Sequence, residues 1–159
     1  MNIIYLLLGS NQNKPGKQLN TARSYITRQI GDIKRWSGIY QTAAWGNTNQ
    51  PDFLNQVLIV KTILSAEQTM QTIFSIEKKM GRIRTQKNAP RIIDIDILFF
   101  NKDIIHSKNL EIPHPQLQNR NFVLVPLNEL SPNLKHPVLN KTIHQLLRIS
   151  PDELTVNKI

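Results

Sequence analysis

The chain has 159 residues, of which 40% are hydrophobic and 19% charged, and it contains no cysteine. It can therefore form neither a disulfide framework nor a thiolate metal site. The length predicts one domain over residues 1–159. No apolar run approaches the roughly 20 residues of a membrane span, and we expect a cytoplasmic protein. The formal net charge of +9 favours a polyanionic partner. Because the basic residues are scattered except in one central loop, that partner is expected to be a nucleotide triphosphate rather than nucleic acid.

The N-terminal half predicts the order strand, helix, strand, strand. Residues 2–8 are apolar on both faces, as in a central strand, and Pro15 is placed to open a helix. Residues 33–42 predict a second strand with a bulge at Gly38, and residues 53–64 predict a third strand that pairs with it. The intervening helix has one apolar stripe at helical spacing, formed by Leu19, Ala22, Ile26 and Ile30.

The C-terminal half predicts a helix, a strand and further helices. Ser65 and Gln68 form a capping-box signal, and residues 92–100 form an apolar strand. Residues 122–130 resemble a short buried helix or turn. A final helix is expected to be capped by Asn140, whereas the sequence does not define the conformation of the residues after Ile149. The order β-α-β-β-α-β predicts an α+β, ferredoxin-like sandwich with additional C-terminal helices.

Glu77 is a carboxylate in the apolar register of the second helix. The inward stripe of this helix comprises Ala66, Met70, Ile73, Glu77 and Met80. Glu77 can be a surface residue whose stem lies along the core. It can equally point at the following loop and orient an arginine there. The sequence alone does not choose between these interpretations.

The segment from Gly81 to Leu98 is the most informative part of the chain. Its loop carries four cations, Arg82, Arg84, Lys87 and Arg91, and the strand that follows carries Asp94 and Asp96. Alternation along a strand places both aspartates on one face, with their Cα atoms roughly 6.6 Å apart. The isoleucines between and beside them then fill the other face.

Two interpretations of the acidic pair are open. The aspartates can be structural partners of the nearby arginines, or they can hold divalent cations beside arginines that bind phosphate. Carboxylates for metal next to guanidinium groups for phosphate are typical of phosphoryl or nucleotidyl transfer. An RNA-binding module of the same strand and helix order, and a metal-dependent nuclease, are alternatives from other functional classes.

Several motifs together resemble a known family. They are GSN at residues 9–11, TAAWG at 42–46, QPDFLN at 50–55, PRIIDIDIL at 90–98, IPHP at 112–115 and NRNF at 119–122. This combination is similar to the 6-hydroxymethyl-7,8-dihydropterin pyrophosphokinases of folate biosynthesis. The resemblance implies a monomeric, ferredoxin-like enzyme that uses ATP and two Mg²⁺ ions. It implies transfer of pyrophosphate to the pterin hydroxymethyl group with release of AMP, and no nucleic-acid or membrane partner.

The resemblance also implies a set of site residues. The catalytic group comprises Arg82, Arg91, Asp94 and Asp96, of which Asp94 and Asp96 are the metal ligands. The ATP side comprises Glu77, Arg84, the backbone around Ile97 and Leu110, His114 and Arg120. The pterin side comprises Thr42, Trp45, Phe53, Asn55 and Phe122. The chain departs from the family at several positions; one is the segment 87–89, which lacks the loop tryptophan that many members carry before the Pro-Arg pair.

Overall fold

The computed structural model describes residues 1–44, 49–83 and 90–159. Its elements in chain order are β1 (Asn2–Ser10), α1 (Pro15–Gln29), β2 (Gly31–Trp36), β3 (Tyr40–Thr42), β4 (Phe53–Thr62), α2 (Ala66–Lys79), β5 (Asp94–Phe100), β6 (Ile105–His106), β7 (Glu111–Ile112), α3 (Asn121–Leu130), α4 (Ile143–Arg148) and β8 (Val156–Lys158). Within those ranges, no helix combines the length and the apolar character that crossing a bilayer requires.

The main sheet is antiparallel and has the strand order β5-β1-β4-β3-β8, with β2 also paired to β4. β1 is central because it pairs with β4 on one side and β5 on the other. β6 and β7 form a separate hairpin. One helix follows β1 and one follows β4, and α3 and α4 come later in the chain than β5. This arrangement confirms the predicted α+β sandwich with additional C-terminal helices.

One face of the sheet is covered by α1 and α2. The predicted stripe of α1 is confirmed, since Leu19, Ala22 and Ile26 are fully buried. α2 begins with the predicted capping box, in which the Gln68 backbone N–H donates to Ser65 Oγ at 3.1 Å. Each aliphatic side chain buried on this face contributes roughly 1.5–3 kcal/mol of transfer free energy. The alternate isoleucines around the acidic pair, Ile93, Ile95 and Ile97, belong to this core.

The opposite face is only partly covered. α3 and α4 pack on it through a second apolar cluster that includes Leu7, Val57 and Phe99. Leu98 is an extra residue in β5, because Leu6 pairs with Ile97 while Tyr5 pairs with Phe99. Beyond this cluster, the adjoining ends of β1, β4 and β5 carry polar side chains.

The predicted strand over residues 33–42 is wrong as one element, because it is divided into β2 and β3. Both parts pair with β4 as expected. At the interruption the buried Ser37 uses its side chain in the ladder, and its Oγ accepts a hydrogen bond from the Val57 N–H at 3.0 Å. Gln56 Nε2 donates to the Ser37 carbonyl at 2.8 Å. The Ser37 N–H still donates to the Val57 carbonyl at 2.9 Å, and side-chain hydrogen bonds supplement this backbone bond where the regular ladder stops.

One prediction for the C-terminal part is also wrong. The N-cap of α4 is Thr142, not Asn140, because only Thr142 has glutamine three residues later to complete a capping box with Gln145. Asn140 instead occupies the turn before the helix with φ 59°. The tail after Ile149, whose conformation the sequence left open, includes β8, which adds an edge strand to β3.

Candidate active site

A cavity lies where β1, β4 and β5 adjoin, on the face opposite α1 and α2. It brings together eight of the residues predicted from the sequence: Thr42, Phe53, Asn55, Arg91, Asp94, Asp96, Arg120 and Phe122. Gly9, Leu7 and Ala43 complete its walls. The cavity therefore joins an aromatic side, an amide and a cluster of charges within one small space.

Two arginines hold Asp94, the first residue of β5. Arg82 Nη1 donates to Asp94 Oδ1 at 2.7 Å, and Arg91 Nη1 donates to Asp94 Oδ2 at 2.9 Å. Charge-assisted hydrogen bonds of this kind are short and roughly twice as strong as neutral ones. The structural interpretation of the acidic pair, ion pairing with nearby arginines, therefore holds for Asp94 in this structure.

Glu77 is a buried residue that contacts the loop arginine. Its side chain is only 3% exposed, and Glu77 Oε2 accepts a hydrogen bond from Arg82 Nη1 at 2.6 Å. The same oxygen accepts from the Ile95 backbone N–H at 2.9 Å. Glu77 is thus not a surface residue, and it anchors Arg82 to β5 from behind the cavity.

Asp96 is in a different situation from Asp94. It faces the same cavity, but none of the described residues donates a hydrogen bond to its carboxylate. Burial raises the pKa of Asp96, and the negative charges of Asp94 and Glu77 raise it further. Arg120 and Arg82 oppose that rise. Asp96 is therefore a carboxylate whose charge the described residues compensate only in part.

The acidic pair fits a divalent cation. Two adjacent carboxylates, of which Asp96 receives no hydrogen bond from the described residues, supply the hard oxygen ligands that such a cation prefers. Across residues 1–44, 49–83 and 90–159 there is no group of three or more histidine or acidic side chains arranged for a metal ion. A cation bound by Asp94 and Asp96 would thus keep open positions, which suits Mg²⁺ with phosphate and water as further ligands.

The aromatic side of the cavity contains Phe53 and Phe122, each with an arginine nearby. The Arg91 guanidinium lies 5.8 Å from the centroid of Phe53, and the Arg120 guanidinium lies 5.7 Å from that of Phe122. Both aromatic rings are partly exposed. A flat, electron-deficient ligand can stack on such rings.

Asn55 and Thr42 are the buried polar groups of this side. Each is 3% exposed. Thr42 Oγ1 donates to the Thr155 carbonyl at 3.2 Å. In contrast, Asn55 Nδ2 is buried and has no hydrogen-bond partner within the described part of the chain. A buried donor without a partner costs roughly 1–3 kcal/mol, which a ligand with an acceptor would recover.

Gly9 was not predicted as a site residue, yet its lack of a side chain shapes the cavity. It is paired with Asn55 in β4 and with Asp94 in β5. A Cβ atom at Gly9 would lie 2.9 Å from Asn55 Oδ1, so any larger residue would displace that amide. Only the strand register reveals this relation, although the GSN motif itself was noted in the sequence.

Of the residues predicted for the ATP side, only Arg120 lines the described cavity. His114 is held beside β5, because its backbone N–H donates to the Leu98 carbonyl at 3.1 Å. Burial and then the nearby Arg120 charge lower the pKa of His114 to about 4, so its ring is neutral. The side chains of Ile97 and Leu110 are buried in the core under α1 and α2, which leaves their backbone as the part available to a ligand. Trp45, Arg84 and the segment 87–89 lie outside the described residues.

Comparison with known proteins identifies the family. The model of the 7,8-dihydro-6-hydroxymethylpterin-pyrophosphokinase (HPPK) family matches residues 5–132, which is more than half of the chain. The chain belongs to the HPPK family. The resemblance noted in the sequence is thereby confirmed.

Curated relatives agree with this assignment. The chain is 38% identical over 151 residues to the 2-amino-4-hydroxy-6-hydroxymethyldihydropteridine pyrophosphokinase of Aquifex aeolicus, covering 91% of this chain and 90% of that protein. It is 32% identical to the enzyme of the same name from Haemophilus influenzae, covering 92% of this chain and 98% of that protein. The folic acid synthesis protein FOL1 of Dictyostelium discoideum is 35% identical over 99% of this chain, which spans only 24% of that relative.

Solved structures support the fold of this HPPK family member. A wild-type HPPK-DHPS crystal structure from Plasmodium falciparum superposes with a TM-score of 0.75 at 23% identity, covering 93% of this chain and 43% of that chain. As an HPPK, the chain transfers a pyrophosphoryl group to 6-hydroxymethyl-7,8-dihydropterin in folate biosynthesis. ATP is the co-substrate that this reaction implies. The family assignment thus favours the pyrophosphokinase over the RNA-binding and nuclease alternatives.

Proposed function

We propose that the cavity between β1, β4 and β5 is the active site, and that it transfers pyrophosphate from ATP to the pterin with two Mg²⁺ ions bound. The observation that carries this proposal is the position of Asp96. Its carboxylate receives no hydrogen bond from the described residues, and it faces the same cavity as Phe53 and Asn55. A pterin and a cation-bound phosphate can therefore meet there.

The pterin occupies the aromatic side of the cavity. Phe53 and Phe122 stack on the flat ring, and Asn55 donates from its unpartnered Nδ2 and accepts at Oδ1. Thr42 and the predicted Trp45 complete the pterin side in this proposal. The pattern of donors and acceptors on an aminopyrimidinone edge matches an amide side chain, which has both.

The triphosphate occupies the charged side. Arg82 and Arg91 already point at Asp94, at 2.7 and 2.9 Å, so both guanidinium groups are preorganised beside the acidic pair. Glu77 holds Arg82 in that orientation. Preorganised donors stabilise developing charge without a reorganisation cost at the moment of reaction. Arg120, His114 and Arg84, with the backbone of Ile97 and Leu110, hold the remainder of ATP.

Asp94 and Asp96 would hold the magnesium ions, which would neutralise phosphate charge and make the pterin hydroxyl easier to ionise. In the reaction, the pterin hydroxymethyl oxygen forms a bond to the β-phosphorus of ATP. The bond from that phosphorus to the oxygen bridging the α-phosphate breaks, and AMP leaves. The hydroxyl proton passes to solvent. No side chain among the described residues is needed as a separate general base.

The experiment that tests this function is an assay of AMP release from ATP. Release should require both added 6-hydroxymethyl-7,8-dihydropterin and Mg²⁺, and pterin diphosphate should form in equal amount. The control omits the pterin. AMP or ADP release that is independent of pterin, or salt-sensitive binding to single-stranded oligonucleotide without turnover, would contradict the proposal and favour an alternative class.

We also propose that residues 1–159 act as one monomeric domain in the cytoplasm. The support for a single domain is that one sheet contains both β1 and β8. The monomeric state is what the family resemblance implies. Light scattering on the active protein tests the monomer, since a dimeric mass at assay concentration would contradict it.

A further inference from the structure

We propose that Asp152 is a positioning residue for the pterin pocket, because its carboxylate fixes the start of α3 and with it Arg120 and Phe122. This inference rests on the proposed function, in which those two residues contact the ligands. Asp152 itself does not line the cavity. It belongs to residues 150–158, here called the C-terminal strap.

Two hydrogen bonds join Asp152 to α3, and a third holds its carboxylate within the C-terminal strap. The Asn121 backbone N–H donates to Asp152 Oδ2 at 2.8 Å, and Asn121 Nδ2 donates to the Asp152 carbonyl at 3.1 Å. The other carboxylate oxygen, Oδ1, accepts from the Leu154 N–H at 3.0 Å. The carboxylate is therefore fixed by its own segment and bonded to the first residue of α3, which lies directly between Arg120 and Phe122.

α3 requires such a partner because its sequence contains no local cap. The first backbone N–H groups of a helix have no acceptor inside the helix and need one from elsewhere. The N-cap position of α3 is Arg120, whose side chain makes no capping hydrogen bond. A carboxylate at a helix N-terminus also interacts favourably with the helix dipole. Asp152, 31 residues away in sequence from Asn121, supplies the missing acceptor.

The C-terminal strap also reaches the opposite wall of the cavity. β8 pairs with β3, where Val156 lies opposite Thr42. The Thr155 carbonyl accepts the hydrogen bond from Thr42 Oγ1. One short segment thus connects the wall that carries Thr42 to the wall that carries Phe122. Its contacts set the separation between the two pterin-side walls.

Asp152 also influences Arg120 through charge. Burial lowers the pKa of Arg120, while the carboxylates of Asp96, Asp94 and Asp152 counteract that effect. Asp152 therefore acts both as a hydrogen-bond acceptor and as a counter-charge. The two roles can be separated by comparing Asp152→Asn, which keeps an acceptor oxygen, with Asp152→Ala, which removes it.

The test measures pterin affinity by calorimetry and steady-state KM and kcat, together with thermal unfolding. Losing a helix cap costs enough free energy that Asp152→Ala should weaken pterin binding roughly tenfold. Asp152→Asn should bind pterin within roughly twofold of wild type, because its amide oxygen can still accept from Asn121. Glu153→Ala is the matched control, since Glu153 is the exposed neighbour on the same segment. It should leave pterin binding unchanged.

A double-mutant cycle distinguishes positioning from a general loss of stability. If Asp152 acts through Phe122, adding Asp152→Ala to Phe122→Ala should weaken pterin binding by less than roughly twofold. Asp152→Glu, which keeps the charge but displaces the carboxylate, replaces Asp152→Ala if that variant does not fold, and should weaken binding severalfold.

Two results would overturn the inference. The first is a lowered unfolding temperature for Asp152→Ala with wild-type pterin affinity, which would leave a structural role alone. The second is an equal loss of affinity in Asp152→Asn and Asp152→Ala, which would exclude the hydrogen bond as the cause. Both results presuppose a wild-type protein that turns over pterin, so failure of the proposed function would be recognised separately by the absence of that activity.

Discussion

Strand β5 contributes to both faces of the main sheet, and the two faces differ in what they bury. Toward α1 and α2 it presents Ile95 and Ile97, which are 4% and 8% exposed within a continuous apolar core. Toward the cavity it presents Asp94 and Asp96. Adjacent residues of one strand therefore serve two environments of opposite polarity.

The difference shows how this fold tolerates polar groups that destabilise it. The helix-covered face carries an apolar core that runs across β1, β4 and β5. The cavity face leaves the Asn55 amide without a partner in the described structure and Asp96 without a hydrogen-bond donor. Each such group costs roughly 1–3 kcal/mol or more. The apolar face offsets that cost, so the cavity face can keep groups that await a ligand.

The largest expected effect is the loss of activity on replacing Asp96. Asp96→Asn should reduce kcat by at least roughly 1,000-fold, because charge stabilisation by a bound cation is worth several kcal/mol. Thermal stability should stay equal or rise, since the variant removes a carboxylate that burial and two neighbouring acids disfavour. The unfolding temperature is measured without Mg²⁺, and turnover is measured at saturating Mg²⁺. Substantial residual turnover there would contradict the metal-ligand role.

The opposite outcome is expected on the helix-covered face. Ile26→Ala removes a fully buried side chain of α1 and should lower the free energy of unfolding by about 2–5 kcal/mol. Urea denaturation measures this change. Pterin affinity and kcat per folded molecule should match wild type. A change in kcat larger than the folded fraction explains would mean that the two faces are coupled.

Within the cavity face, replacing Arg91 distinguishes a role in catalysis from a role in pterin binding. Arg91→Ala removes the hydrogen bond to Asp94 Oδ2 and should lower kcat roughly 100-fold, as loss of one charge-stabilising donor typically does. The pterin dissociation constant should change much less, although Arg91 lies near Phe53. Stopped-flow binding and single-turnover assays separate the two quantities. The reverse pattern, weak binding with intact kcat, would assign Arg91 to ligand binding.

The smallest expected effect concerns the pH dependence of stability at His114. The pKa of this ring is lowered from 6.5 to about 4 in the folded protein, so the unfolded chain binds an additional proton between those values. Stability therefore falls as pH decreases through this window. His114→Asn should reduce the loss between pH 7 and pH 4 by on the order of 1 kcal/mol. Identical pH profiles in chemical denaturation would refute a neutral, buried His114.

Features that depend on local periodicity could be predicted from the sequence. The alternation around Asp94 and Asp96 gave their shared face, and the Ser65 and Gln68 pair gave the start of α2. The roles proposed for Phe53 and Asn55 came from the family resemblance, because a lone aromatic or amide has no distinctive local signal. The structure brings both to the cavity.

Features that depend on distant contacts could not be predicted. The interruption of the second strand arises from Ser37 and Gln56, which are 19 residues apart. The edge strand β8 exists because β3 offers a free edge, which the sequence of the tail does not reveal. Gly9 matters through the side chain that it lacks, and its importance appears only when its strand neighbours are known.

The extra residue Leu98 divides β5 into two segments with independent registers. Before Leu98, the alternate residues Asp94 and Asp96 face the cavity. After Leu98, Phe99 packs in the cluster under α3 and α4, and Phe100 packs in the cluster under α1 and α2. The Leu98 carbonyl also ties the His114 segment to the strand. Deleting Leu98 would remove the bulge and leave Phe99 and Phe100 opposite Tyr5 and Ile4, each on its present face of the sheet. The same deletion would also remove one buried side chain from the second apolar cluster and the carbonyl that holds the His114 segment, so one residue links hydrophobic packing to the proposed nucleotide side.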